Sequence, residues 1–310
     1  MGRMKAMACG AFALVAASGG AARADTILFV GNSFTFGALS PVWKFHNASV
    51  TDLNGGGVGG VPALFKTFTT EAGLDYTVSL ETVGGKDLQY HLDNKRALID
   101  QAWDHVILQS FSTLDAAKPG DPASLIASSG VMARMFHAKN PKADVRLTAT
   151  WSRADLTYLT TGPWYGKPIG QMAKDVEAGY DQAALDANAG AFDKSFRADP
   201  RQMAGSAAAI TGVIEVGAAW NRAFDVGFAD PDPYDGIEPG KVDLWAYDNY
   251  HASSFGYYIE ALMVFGAVTG KDPLSLGPKE TAAMELGISP AQATAMQQIA
   301  HDVLAAPAKH

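Results

Sequence analysis

Thr26-Ile27-Leu28-Phe29-Val30-Gly31-Asn32-Ser33-Phe34-Thr35 decides how this chain reads. Four consecutive apolar residues, Ile27 to Val30, predict a strand buried on both faces, and Gly31 then permits a sharp turn. A strand covered on both faces belongs to a parallel sheet, and the hydroxyl of Ser33 falls just past its carboxyl end, where α/β proteins bind ligands. A serine there becomes a nucleophile only with a base, an orienting acid and an oxyanion hole.

Outward from that run, apolar β-type segments alternate with helical ones, predicting an α/β fold with helices on both faces of a mostly parallel, five-stranded sheet. Strands are expected at Tyr76–Thr82, His105–Gln109, Val145–Thr150 and Gly212–Val216. Helices are expected at Val61–Ala72, Asp87–Ala102, Ala123–Ala138, Ile169–Arg197 and Ser253–Thr269, with two short helices closing the chain. Ser152–Lys167 and Asp230–Gly240 read as loops.

The N-terminus reads as an export signal. Arg3 and Lys5 form a basic start, Ala6–Ala17 is apolar, and Ala22-Arg23-Ala24 matches a signal-peptidase site. Residues 1–24 are therefore expected to be removed, leaving 25–310 as a single domain that is periplasmic or extracellular, without stable membrane insertion. Loss of the three bases Arg3, Lys5 and Arg23 takes the formal charge from −8 to −11. So acidic a chain, without a basic cluster, disfavours nucleic acid as a partner. Its one cysteine, Cys9, lies in the presumed signal, so no disulfide, thiolate or cysteine metal site is expected. The histidines His46, His91, His105, His137, His301 and His310 show no metal-ligand spacing. The run Gly55–Gly60 lacks the Lys-Ser/Thr of a phosphate-binding loop and reads as a flexible connection.

The second chemical run is Tyr247-Asp248-Asn249-Tyr250-His251. An acid three residues before a histidine, in a loop opening a helix, can curl back to accept a proton from the imidazole. That fixes the tautomer and leaves the other ring nitrogen free for a serine proton.

Together, Gly31-Asn32-Ser33 after the first strand and Asp248-x-x-His251 before the last long helix resemble the SGNH (GDSL-type) hydrolase superfamily, close to its carbohydrate-esterase branches. The resemblance runs through the whole mature chain in order and spacing. It departs at Asn32, where the family has Asp, and after the third strand, where Val106-Ile107-Leu108-Gln109-Ser110 replaces Gly-x-Asn-Asp. It implies a three-layer, flavodoxin-like sandwich and a catalytic triad of Ser33, His251 and Asp248. It also implies an oxyanion hole from the amides of Ser33 and Gly85 with the Gln109 side chain, Ser110 being the substitute for Gln109. Neither a cofactor nor a metal is implied. Asn32 and Trp151 are taken as substrate-facing, with core packing the alternative for Trp151 and for its neighbours Tyr158, Trp164 and Tyr165. The expected reaction is ester hydrolysis through an acyl-enzyme, with O-acetyl groups on a carbohydrate the favoured substrate. A lipase or thioesterase, or an inactive carbohydrate-binding protein, are the alternatives.

Overall fold

A computed structural model describes Met1, residues 23–191 and residues 210–307. The expected signal peptide falls almost wholly outside these residues, as do the expected helix beyond residue 191 and His310.

Among the described residues six strands form one parallel sheet: β1 (Asp25–Gly31), β2 (Thr51–Asp52), β3 (Tyr76–Thr82), β4 (His105–Leu108), β5 (Asp144–Ala149) and β6 (Gly212–Glu215). Their order is β2-β3-β1-β4-β5-β6, and every adjacent pair is parallel. Apart from the edge strand β2, this is the flavodoxin-like order. The five strands expected are present, and the sixth corrects the count. β2 is two residues long and polar, so it carries no periodic signal, and its pairing with Ser79 and Leu80 comes wholly from the neighbouring strand.

β1 shows why its sequence reads as continuously apolar. Ile27 and Phe29 enter one core, with the helices Gly60–Glu71 and Ser254–Thr269, while Leu28 and Val30 enter the other, with the helices Ala123–Lys139 and Gly170–Ala189. Alternate residues point to opposite faces, and both faces are covered.

Helix boundaries follow local chemistry. The helix Ser254–Thr269 stops at Gly270, whose φ of 66° suits a residue without a Cβ. The expected helix 87–102 is instead two helices, Leu88–Asn94 and Arg96–Ile99, interrupted at Lys95. Val216–Asp225 is helical directly after β6, with no turn residue to announce it. The last helix, Pro290–Leu304, is 15 residues long rather than short, and Ser289 and Gln292 cap its start reciprocally.

Arg23, within the segment expected to be cleaved, pairs with Asp104 at 2.6 Å. Asp104 also accepts the N–H and hydroxyl of Thr26, so it keeps partners in the shortened chain. Among the described residues no helix is long and apolar enough to cross a membrane.

Candidate active site

β1 lies beside β4 where the sheet changes winding direction, so the loops leaving their carboxyl ends frame a crevice. Gly31 is obligatory there. A Cβ on it would sit 2.2 Å from Thr35 Oγ1 and 2.7 Å from Gln109 Oε1. The chain then curls tightly, with the N–H groups of Thr35 and Phe36 donating to the Asn32 carbonyl and that of Ala38 to the Ser33 carbonyl.

Asn32 is buried and ties three segments together. Its amide donates to the Lys86 carbonyl (2.9 Å) and the Ser110 carbonyl (3.1 Å), and its oxygen accepts from the Phe34 N–H (3.2 Å). Gln109 Oε1 accepts from the Asn32 N–H and from Thr35 Oγ1, each at 3.0 Å. None of these bonds uses the Ser33 hydroxyl.

The Asp248–His251 loop closes on itself. Asp248 Oδ2 accepts from His251 Nδ1 at 2.6 Å, while Oδ1 accepts the N–H groups of His251 (2.9 Å) and Tyr250 (3.1 Å). Asn249 turns the chain in the left-handed region, at φ 55°. Burial pushes the Asp248 carboxyl up, but the hydrogen bonds from the His251 ring and from the two backbone N–H groups outweigh it and hold the group below the usual carboxylate range. His251 Nε2 is buried and has no hydrogen-bond partner among the described residues. Its ring lies 5.7 Å from that of Phe34, the residue after Ser33.

The loop after β5 carries the Asp248–His251 loop. Trp151 Nε1 donates to the Tyr250 carbonyl, the Asp155 N–H to the Asn249 carbonyl, and Trp245 Nε1 to the Ser152 carbonyl. A second link is the phenol of Tyr257, whose single O–H is shared between the carbonyls of Ser33 and Ala38, each at 3.2 Å. The sequence carries no signal for that link, since a tyrosine inside an apolar helix reads as core.

Three expected roles need correction. Asn32 is not substrate-facing, because its donors and acceptor are spent within the protein. Gln109 is placed as a brace rather than an oxyanion donor: it is buried, its oxygen holds the Asn32–Thr35 turn, and its amide donates to the Ser110 carbonyl. Ser110 also turns inward, its N–H donating to the Tyr180 hydroxyl and its Oγ facing the Leu88 N–H. Trp151 is fully buried, stacked on Trp220 at 4.7 Å and on Phe34 at 4.3 Å, so no sugar can reach its face. The core alternative accounts for it.

Gly85 lies in the exposed turn after β3 at φ 67°, a conformation suited to glycine, and a Cβ there would meet no atom within 4 Å. The bond from Asn32 to the carbonyl of Lys86, the next residue, ties this turn to the Ser33 loop. The glycine-rich run is held through its carbonyls, with Lys44 Nζ bonded to those of Gly56 and Gly57. Among the described residues no three His, Cys, Asp or Glu side chains are grouped to hold a metal ion.

No family model matches the chain, and no curated protein matches it by sequence. Solved structures do. A DUF4886 family protein from Bacteroides uniformis superposes with a TM-score of 0.57 at 17% identity, covering 91% of this chain and 95% of that one. A protein described as a GDSL-like lipase, from Parabacteroides merdae, gives 0.51 at 15% identity, covering 79% and 95%. At these identities the likeness is one of fold. Sheet order, layering and structural neighbours agree, and the chain has the α/β/α fold of the SGNH (GDSL-type) hydrolases.

Proposed function

We propose that this protein is a serine esterase. The observation that carries the reading is the Asp248–His251 pair, whose imidazole offers an unpartnered Nε2 beside the loop that bears Ser33. Asp248 accepts the Nδ1 proton and so leaves Nε2 as the basic nitrogen. Ser33 Oγ attacks the acyl carbon while Nε2 takes its proton. The oxyanion is met by the amides of Ser33 and Gly85. The imidazolium, stabilised by Asp248, returns the proton to the leaving alcohol. Water then adds to the acyl-enzyme, giving its proton to His251, and collapse releases the acid and regenerates Ser33.

Within this reading the substrate is an O-acetylated carbohydrate, and residues 1–24 send the enzyme out of the cytoplasm. Exposed aromatic surface flanks both motifs and suits a sugar ring. Tyr247, next to Asp248, is 84% exposed, and Trp43, 45% exposed, packs on Phe36, whose ring lies over Gly84. The test is fluorophosphonate labelling with turnover of p-nitrophenyl acetate. The wild type labels and turns over, and Ser33→Ala does neither while unfolding at the same temperature. Turnover by Ser33→Ala refutes the assignment. Acetate release from acetylated glycans, set against hydrolysis of long-chain esters, tests the substrate.

A further inference from the structure

The Tyr250 ring touches both the proposed base and a cation. Its centroid lies 4.1 Å from that of the His251 ring, at 34° between planes, and 3.6 Å from the guanidinium carbon of Arg153. Arg153 is held in turn by Asp155, through Nε at 3.0 Å and Nη2 at 2.6 Å. The Tyr250 backbone is fixed as well, with its N–H on Asp248 Oδ1 and its carbonyl on Trp151 Nε1. Phe34 closes the group at 5.3 Å. A ring so restrained presents its π cloud to the imidazole in a set orientation.

We propose that Tyr250 is a positioning residue whose ring face stabilises the protonated imidazole of His251, with the Arg153–Asp155 pair holding that ring in place. The proposal rests on the esterase reading, because the imidazolium forms as Ser33 gives up its proton. An aromatic face attracts a cation through its quadrupole, and the gain grows where water is excluded. Arg153 by itself would repel a second cation, but its bidentate carboxylate partner cancels most of that field. The other groups facing His251 leave the ring's effect visible. Asp248 contacts it from its own loop, and the Ser33–Phe34 loop brings no charge. Behind Asp248 and Tyr250, Tyr257 of the following helix is a neutral phenol that burial, and then the charge of Glu260, push well above its ordinary range.

The ring rather than the hydroxyl is the working part, so Tyr250→Phe and Tyr250→Leu separate the roles. Tyr250→Phe keeps kcat/KM for p-nitrophenyl acetate within about two-fold, since the π face survives. Tyr250→Leu keeps bulk without a π face, and its kcat falls roughly three- to ten-fold, the rate equivalent of a partly shielded cation–π contact, with KM unchanged. Loss of the ring makes the imidazolium less stable, so the acidic limb of the pH–rate profile moves down by about half to one pH unit. The same shift is read without turnover by titrating the His251 ring by NMR in a Ser33→Ala background. That titration separates the two ideas. If the wild type neither labels nor turns over, the esterase reading fails, while a downward shift on Tyr250→Leu still upholds the ring effect. An unshifted titration, or a Phe variant as impaired as the Leu variant, overturns the proposal. Should Tyr250→Leu fail to fold, Tyr250→Met, which adapts to irregular space, is titrated in its place and judged by the same shift.

Discussion

The phenol of Tyr257 donates to the carbonyl of Ser33 across 3.2 Å, and so joins the helix that follows His251 directly to the loop that carries the serine. Residues far apart in sequence are thereby held in one frame by a side chain that takes no part in the proposed chemistry. Tyr257→Phe leaves the ring in its packing and removes the donor. The Ser33 carbonyl keeps the Ala38 N–H, so the expected loss of stability is about 1–2 kcal/mol by denaturant unfolding. Fluorophosphonate labelling is expected to slow more than that loss explains.

Asn32 stands where an aspartate would bring two oxygens against two carbonyls. Asn32→Asp removes both donors to Lys86 and Ser110 and, once ionised, sets a charge against their oxygens. The expected cost is about 1–3 kcal/mol at neutral pH. The new carboxyl would have a raised folded-state pKa, so the deficit is largest above that pKa and shrinks as pH falls through it. Unfolding curves at several pH values check the sign.

Trp151 serves the core rather than the substrate. Trp151→Ala opens a cavity beside Trp220 and Phe34 and is expected to cost about 3–5 kcal/mol. A variant of unchanged stability whose KM alone rises would restore the sugar-stacking role.

Asp248→Asn tests the orienting acid. The amide oxygen can still accept the backbone N–H groups, but an amide NH₂ facing Nδ1 favours the wrong tautomer. The expected loss in kcat is roughly a hundred- to ten-thousand-fold with little change in KM.

Asp144 gives the fold an acid-sensitive point where the interior strands β4 and β5 begin. Burial raises its pKa, but hydrogen bonds from His105 and Arg146, with the Arg146 charge, outweigh that and bring it down to about 2. A depressed carboxyl contributes stability above its unfolded pKa and loses it as pH falls through the folded value. Wild type is therefore expected to exceed Asp144→Asn by about 2 kcal/mol near pH 6, with the gap closing between about pH 4 and pH 2. Paired urea titrations measure it.

What was legible in the sequence is what neighbours along the chain settle among themselves. β1 announces itself because a strand buried on both faces must be apolar at every position, and Ile27 to Val30 are. Asp248 and His251 announce themselves because three residues suffice for a carboxylate to reach back to an imidazole. The edge strand β2 was not legible, since its pairing is imposed by β3.

The roles of Asn32, Gln109 and Trp151 were decided by tertiary structure alone. The family resemblance implies an oxyanion role for Gln109, and the sequence leaves Asn32 and Trp151 as substrate-facing candidates, Trp151 with core packing as the alternative. What fixes the role is the direction of partners brought from elsewhere: the Lys86 and Ser110 carbonyls for Asn32, the Asn32–Thr35 turn for Gln109, and the Trp220 ring for Trp151. A side-chain amide can donate to a substrate or to a carbonyl with equal chemistry. Residue type says that it will bond, and the packing of distant segments says to what. The run Ile27–Ser33 thus determined by itself a buried strand and a serine at its end, while the sheet and the helix bearing Tyr257 decided what surrounds that serine.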